Sequence, residues 1–207
     1  SKYDNLLRYE VYELILKILR YLYQIDAYIS IAEVARERGF VFAEALPLGG
    51  NILEIEGMFH PLIENAIPNS IQADAEHNVV FLTGANMAGK STFMKTFGIV
   101  VYLAHMGFPL PVKKMRFSVQ NGMYTTINLP DNMMLGYSHF YAEVQRLKKV
   151  AEQVGRIGNL VIVFDELFRG TNEKDACRYG GFCRKKELYI YDIDTHYRGR
   201  RGFEEAV

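Results

Sequence analysis

Val79-Val80-Phe81-Leu82-Thr83-Gly84-Ala85-Asn86-Met87-Ala88-Gly89-Lys90-Ser91-Thr92 is the stretch that decides how this chain folds. It opens as an apolar, β-rich run that ends at Thr83, which reads as a buried strand. From Ser91 to His105 the apolar residues Phe93, Met94, Phe97, Val100, Val101 and Ala104 recur at helical steps. Between strand and helix, Gly84 to Ser91 fits G-x-x-x-x-G-K-[ST], the phosphate-loop pattern. Glycines let the backbone turn so that successive N–H groups point inward at phosphate oxygens, and the helix N-terminus adds a partial positive charge. In that geometry Lys90 reaches the terminal phosphates and the Ser91 hydroxyl is a magnesium ligand. A glycine turn with a chance lysine would account for the letters alone. It would not account for a strand before them and a helix after them.

A nucleoside triphosphatase also needs a second strand that ends in carboxylates, and Leu160-Val161-Ile162-Val163-Phe164-Asp165-Glu166 supplies one. Five apolar residues in a row mark a strand buried on both faces of a parallel sheet. Asp165 at its carboxyl end would hold the magnesium shell, and Glu166 would orient or deprotonate the attacking water. An ordinary strand ending in an acidic turn is the plain alternative, and the loop upstream weighs against it. Aspartate followed by glutamate favours the ABC-like branch of these ATPases. The fold expected is α/β: a P-loop NTPase of ABC-like type, with a mixed or parallel sheet flanked by helices and an N-terminal helical segment.

That segment is read from Leu6, Leu7, Val11, Leu14, Ile15, Ile18, Leu19, Leu22 and Ile25, spaced as one apolar helical stripe. Ile29, Ile31, Ala32, Val34 and Ala35 continue it to Gly39, as one long helix or two packed ones. A core-facing pair is the expectation, with the end of a longer helical arm as the alternative. Phe40-Val41-Phe42 and Ile52 to Ile55 read as strands, with turns at Pro47, Gly49-Gly50, Gly57 and Pro68-Asn69-Ser70. Phe140 to Val154 reads as a further helix. The whole sequence has 207 residues, 49% hydrophobic and 23% charged, with 24 basic and 24 acidic side chains. That composition suits a globular domain and gives no overall basic field to attract nucleic acid. Cys177 and Cys183 fit no metal-ligand spacing and no disulfide framework. No apolar run approaches the length of a membrane helix, so a cytoplasmic protein without membrane contact is expected.

Thr83 to Thr92 resembles the loop of the MutS family of DNA mismatch-repair ATPases, TGPNMAGKST, the Asn86-Met87 pair being its specific part. Further blocks agree in order. Phe59-His60-Pro61-Leu62-Ile63-Glu64 resembles RHPVVE, and Asp131 to Glu143 resembles DDLASGQSTFMVE. Phe164 to Asn172 resembles LDEIGRGTS, and the opening helical stretch looks like the end of the family's lever helices. The resemblance spans about Leu6 to Ala176. It implies residues 1–39 as the end of a helical lever or core domain and residues 40–176 as a MutS-like ATPase domain.

What the resemblance implies for the site follows position by position. ATP with Mg2+ would be held by Gly84, Ala85, Asn86, Met87, Ala88, Gly89, Lys90, Ser91 and Thr92, with Ser91 and Asp165 on the metal and Glu166 and Lys90 catalytic. Asn86 is implied as a contact to a phosphate or to the attacking water. Family members dimerise so that each site is completed by the partner, which gives Ser138 a role at the partner's γ-phosphate. An N-cap serine is the competing reading of Ser138. The loop Arg169 to Asn172 would touch the opposing subunit. The expected partner is a second copy or a MutS-like chain, met through the ATPase face. DNA would be bound by domains absent from this sequence, since nothing here resembles the mismatch-reading segment. The chain departs from the family pattern at Ala85, which replaces the loop proline, at Ser138-His139, which replaces a Ser-Thr pair, and near Pro68-Asn69, where Ala66 and Ile67 stand in place of the aromatic on which adenine stacks.

After Ala176 the resemblance stops, where the family continues with a helix, a strand and a Ser/Ala-Thr-His switch. One permitted codon choice for Arg178 to Arg200, read one base later, gives DTVDFAERRNCIFMISTHIIVE, which has all three. Residues 177–207 are therefore read as a frameshifted tail. Within it Leu188 to Ile193 still reads as a strand followed by Thr195-His196. His196 is either near the switch position or an exposed histidine. Two other readings stand beside the ATPase: a nucleotide-binding dimerisation module without turnover, and another ABC-like ATPase. Leu135-Gly136-Tyr137-Ser138-His139 in place of LSGGQ argues against the last.

Overall fold

The computed structural model describes residues 11–85, 87–127, 139–165 and 188–194. Among these residues, two four-stranded sheets make the frame. The first, in order β1-β5-β2-β3, comprises β1 (Glu44–Leu46), β5 (Lys114–Ser118), β2 (Leu53–Met58) and β3 (Asn69–Ala73). β1 runs parallel to β5, and β2 is antiparallel to both β5 and β3. The second, in order β4-β8-β7-β6, is parallel throughout. It comprises β4 (Val79–Gly84), β8 (Leu188–Asp194), β7 (Leu160–Phe164) and β6 (Gly122–Thr126).

Helix α2 (Lys90–His105) ties the sheets together, because its apolar residues are spread widely enough to serve two partners. Met94, Phe97, Val100, Val101 and Ala104 share one buried cluster with Leu53, Ile55, Met115 and Phe117 of the first sheet and Val161, Val163 and Ile190 of the second. The opposite face of the second sheet presents Leu160, Ile162, Phe164 and Tyr189 to Val150 and Val154 of helix α3 (His139–Arg156). With a helix on each face, β7 is buried at every position, as its unbroken apolar run predicts. The observed class is mixed α/β.

Helix α1 (Tyr12–Arg38) corrects one expectation: it is a single helix, and none of its residues is buried. Leu14, Ile18, Leu22, Ile25 and Ile29 are each more than half exposed. A periodic stripe shows that a helix has an apolar face, but not that the covering surface lies among the described residues. α1 is held at its C-terminal end. Gly39 caps it in the left-handed region at φ 68°, and the amide of Phe40 returns to the Ala35 carbonyl at 2.9 Å. The Arg38 guanidinium donates to the Pro61 carbonyl, and the Phe40 and Phe59 rings meet edge to face at 5.9 Å.

Other strand boundaries differ as well. Phe40 to Phe42 contributes one isolated bridge, Val41 to Leu110, rather than a strand. β4 is only partly covered, with Phe81 52% exposed, since it is the outermost described strand of its sheet. Asn69 and Ser70 lie in β3 instead of a turn. The strand read at Leu188 to Ile193 is present and occupies the slot between β4 and β7. No helix among the described residues is long and apolar enough to cross a membrane.

Candidate phosphate-binding site

β4 delivers the chain to Gly84, and α2 begins six residues later at Lys90. Among its described residues, the turn between them takes left-handed backbone at Met87 and Gly89. Gly89, the residue before the helix, has φ 93°, and Met87 has φ 67°. Glycine adopts such angles without penalty, whereas methionine does so against its own preference. Met87 leaves its side chain wholly in solvent. The Ala88 amide closes the turn on the Ala85 carbonyl at 3.1 Å, and the Phe93 amide makes the first helical bond to Gly89 at 2.8 Å. Lys90, Ser91 and Thr92 form the first helical turn. Amides in a first turn have no carbonyl inside the helix to accept them, and no side chain caps this one. They are the donors an anion would use.

The Lys90 ammonium donates to the Gly84 carbonyl at 2.9 Å and is partly buried. A cation is therefore held inside the turn, over the residue where β4 ends. A methyl group at Gly84 would sit 3.4 Å from the Ala88 Cβ and 3.9 Å from Cγ and Cδ of Lys90, so the loop is wound closely around this lysine. Such a donor set, a helix first turn beside an ammonium, suits an anion.

Asp165 follows the last residue of β7 and is half-buried. The parallel register fixes its level. Phe164 pairs with Tyr191, and Tyr191 pairs with Phe81 across β8. The carboxyl ends of β4, β8 and β7 therefore lie along one edge, the edge where ligands of parallel α/β sheets bind. The loop and Asp165 share that edge with one strand between them, and Asp194 of β8 pairs with Gly84 itself. Asn86, Ser138, Glu166, the loop Arg169 to Asn172 and His196 lie outside the described residues.

A carboxyl with a shifted pKa lies elsewhere, in a turn between strands. Asp74, between β3 and β4, is held below the usual carboxylate range by the amides of His77 and Glu76, with the His77 ring adding to them. Its Oδ1 accepts from these amides at 2.7 and 2.8 Å. The turn precedes Val79, so it sits at the opposite end of β4 from the loop, and the shift belongs to the turn's structure.

A family model described as MutS domain V matches residues 80–183. The DNA mismatch repair protein MutS of Lactococcus lactis subsp. lactis (strain IL1403) is 28% identical over 199 residues, covering 89% of this chain and 23% of that protein. The MutS protein of Thermus aquaticus is 32% identical over 160 residues, covering 76% of this chain and 19% of its own length. MutS 1 of Halobacterium salinarum (strain ATCC 29341 / DSM 671 / R1) is also 32% identical over 160 residues, or 76% of this chain and 18% of its own. The chain thus spans about a fifth of the length of these curated relatives. The family match takes in β4, the glycine turn, α2 and β7 with Asp165, and extends over half the chain. On that match, the chain belongs to the MutS domain V family.

Proposed function

We propose that the turn from Gly84 to Thr92 binds ATP with Mg2+, and that the chain is the P-loop, ABC-like ATPase part of a MutS-like DNA mismatch-repair protein. The observation that carries this is the closed turn itself: a left-handed glycine before α2, first-turn amides at its mouth and Lys90 held against Gly84. In this reading the amides and Lys90 bind the phosphates. Ser91 and Asp165 hold Mg2+, which would offset phosphate charge. Glu166 takes or orients the proton of the attacking water.

Assembly belongs to the same proposal. Ser138 and the Arg169 to Asn172 loop would act on the nucleotide of a second copy or a MutS-like partner, and DNA would be bound through domains beyond this sequence. The relatives named as mismatch repair proteins support that assignment. The presence of β8 between β4 and β7 weighs against a module that has lost turnover for want of a strand.

The tests separate binding from turnover. Lys90→Ala is expected to abolish ATP binding in a titration, and unchanged affinity would refute the assignment of the loop. Glu166→Gln is expected to bind ATP normally and not hydrolyse it, because an amide keeps the shape but accepts no proton. Persistent phosphate release by that variant would transfer the role to another residue. ATP-dependent self-association in sedimentation velocity tests the role of Ser138 across a dimer.

A further inference from the structure

We infer that α1 is an assembly helix, through which copies of this chain associate in parallel as a coiled coil. Its apolar residues keep a seven-residue period and not merely a helical one. From Val11 the steps alternate four and three through Ile15, Ile18, Leu22, Ile25, Ile29 and Ala32, with no polar residue in the seam. A seam of that period fits another helix of the same period, whose side chains enter it as knobs into holes.

The flanks say which helix. On one side of the seam stand Leu14, Tyr21 and Tyr28, each a heptad from the last; on the other stand Leu19, Asp26 and Glu33. In a parallel arrangement the first flank of one copy faces the second flank of the next, which joins Leu14 to Leu19, Tyr21 to Asp26 and Tyr28 to Glu33. One contact is apolar, and two set a phenol O–H donor against a carboxylate acceptor. An antiparallel arrangement sets each flank against its own kind, and carboxylate facing carboxylate repels. The helix therefore complements itself in one direction only. Isoleucine at 18 and 25 as well as at 15 and 29 favours three strands over two.

The seam is open. Ile18, Tyr21, Leu22, Ile25, Tyr28 and Ile29 are each more than half exposed. Toward the anchored end the partly covered positions are Ile31 and Ala35, which fall on the far side of the helix with Lys17 and Arg20. The body of the chain thus sits behind α1, and copies can meet in front of it. α1 carries four acidic and four basic residues, so copies bring no net charge to the contact. For the same reason it lacks the Lys/Arg-rich face with which amphipathic helices hold a lipid surface.

This assembly needs no nucleotide and does not rest on the reading of the glycine turn. The full 207-residue chain is followed by sedimentation velocity without ATP over a range of concentrations. A discrete species of three copies, or two, in exchange with monomer is expected. Ile18→Asp/Ile25→Asp should leave monomer alone, while Lys90→Ala should associate as the parent does. Tyr21→Phe/Tyr28→Phe keeps the seam and removes only the phenol donors, and should weaken association about tenfold. Far-UV circular dichroism verifies the helix in each variant, and the phenylalanine pair carries the test if the aspartates unwind α1. A parent chain that stays monomeric overturns the inference and leaves the seam to a helix outside this sequence. Unchanged association of the aspartate variant overturns it by placing the contact elsewhere in the molecule. Phenylalanine variants that match the parent overturn the parallel arrangement.

Discussion

Alanine at Gly89 and at Gly98 separates backbone strain from crowding, because space is equal at the two positions. A methyl group added at either meets no atom within 4 Å. Their conformations differ: Gly89 sits at φ 93°, ψ 9° before α2, while Gly98 lies within the helix. Forcing an L-residue into the left-handed region costs about 1–2 kcal/mol. Stiffening the unfolded chain returns about 0.4–1 kcal/mol of that. Gly89→Ala is therefore expected to lose about 1 kcal/mol. Gly98→Ala keeps helical backbone and gains helix propensity, worth about 0.8–1 kcal/mol. The two variants should differ by about 2 kcal/mol, roughly a thirtyfold change in the folding equilibrium. Urea denaturation followed by circular dichroism measures this, provided the slopes agree among the three proteins. Midpoints that move in the same direction for both alanines would refute the argument that φ, and not space, decides these positions.

Two further outcomes follow from hydrogen bonds away from the loop. Ser118 is buried, and its Oγ accepts the Ile52 amide at 3.1 Å while its own amide donates to the Ile52 carbonyl at 2.7 Å. Ser118→Ala should cost about 1–3 kcal/mol by leaving the Ile52 N–H without its acceptor, read as a lower thermal midpoint. Asp74 has a folded pKa below the ordinary value of 3.8, so its contribution is present above that value and is lost as pH falls through the folded pKa. The stability difference between the parent and Asp74→Asn should therefore vanish on acidification below about pH 4. A difference that persists at lower pH would show that the charge of Asp74 is not what the turn uses.

How much of this was readable in the chain depended on the kind of signal. Leu160–Phe164 was legible to the residue, because a strand covered by helices on both faces must be apolar throughout. The turn from Gly84 to Lys90 was legible because left-handed backbone and an exposed helix start demand particular residues there. β5 was missed, although Lys114-Met115-Arg116-Phe117-Ser118 alternates. Its two buried apolar residues, Met115 and Phe117, are interleaved with charges paired across the sheet, Arg116 with Glu44 and Glu54. β6 starts on a glycine and offers few apolar residues, so local propensity argues against it and its neighbour β7 decides. For α1 the period was legible and the burial was not, since burial depends on what lies opposite. Within the site, sequence order placed Asp165 near the loop only by analogy. The register through β8 supplies the physical link, and it depends on residues distant in the chain.

β8 carries a consequence for the order in which the molecule is made. It follows β7 in sequence yet stands between β4 and β7, and it is the only described strand bonded to β4. While a chain emerges in sequence order, β6 and β7 can pair at once, but β4 must wait until Tyr189 arrives to meet Val79. Closing so long a loop is slow, because its entropy is lost before the contact repays it. Through that interval the glycine turn hangs from a strand with no neighbour among the described strands. A chain stopped after Asp165 would hold every letter of the loop and of the β7 carboxylate, and would lack the strand that holds them at one edge.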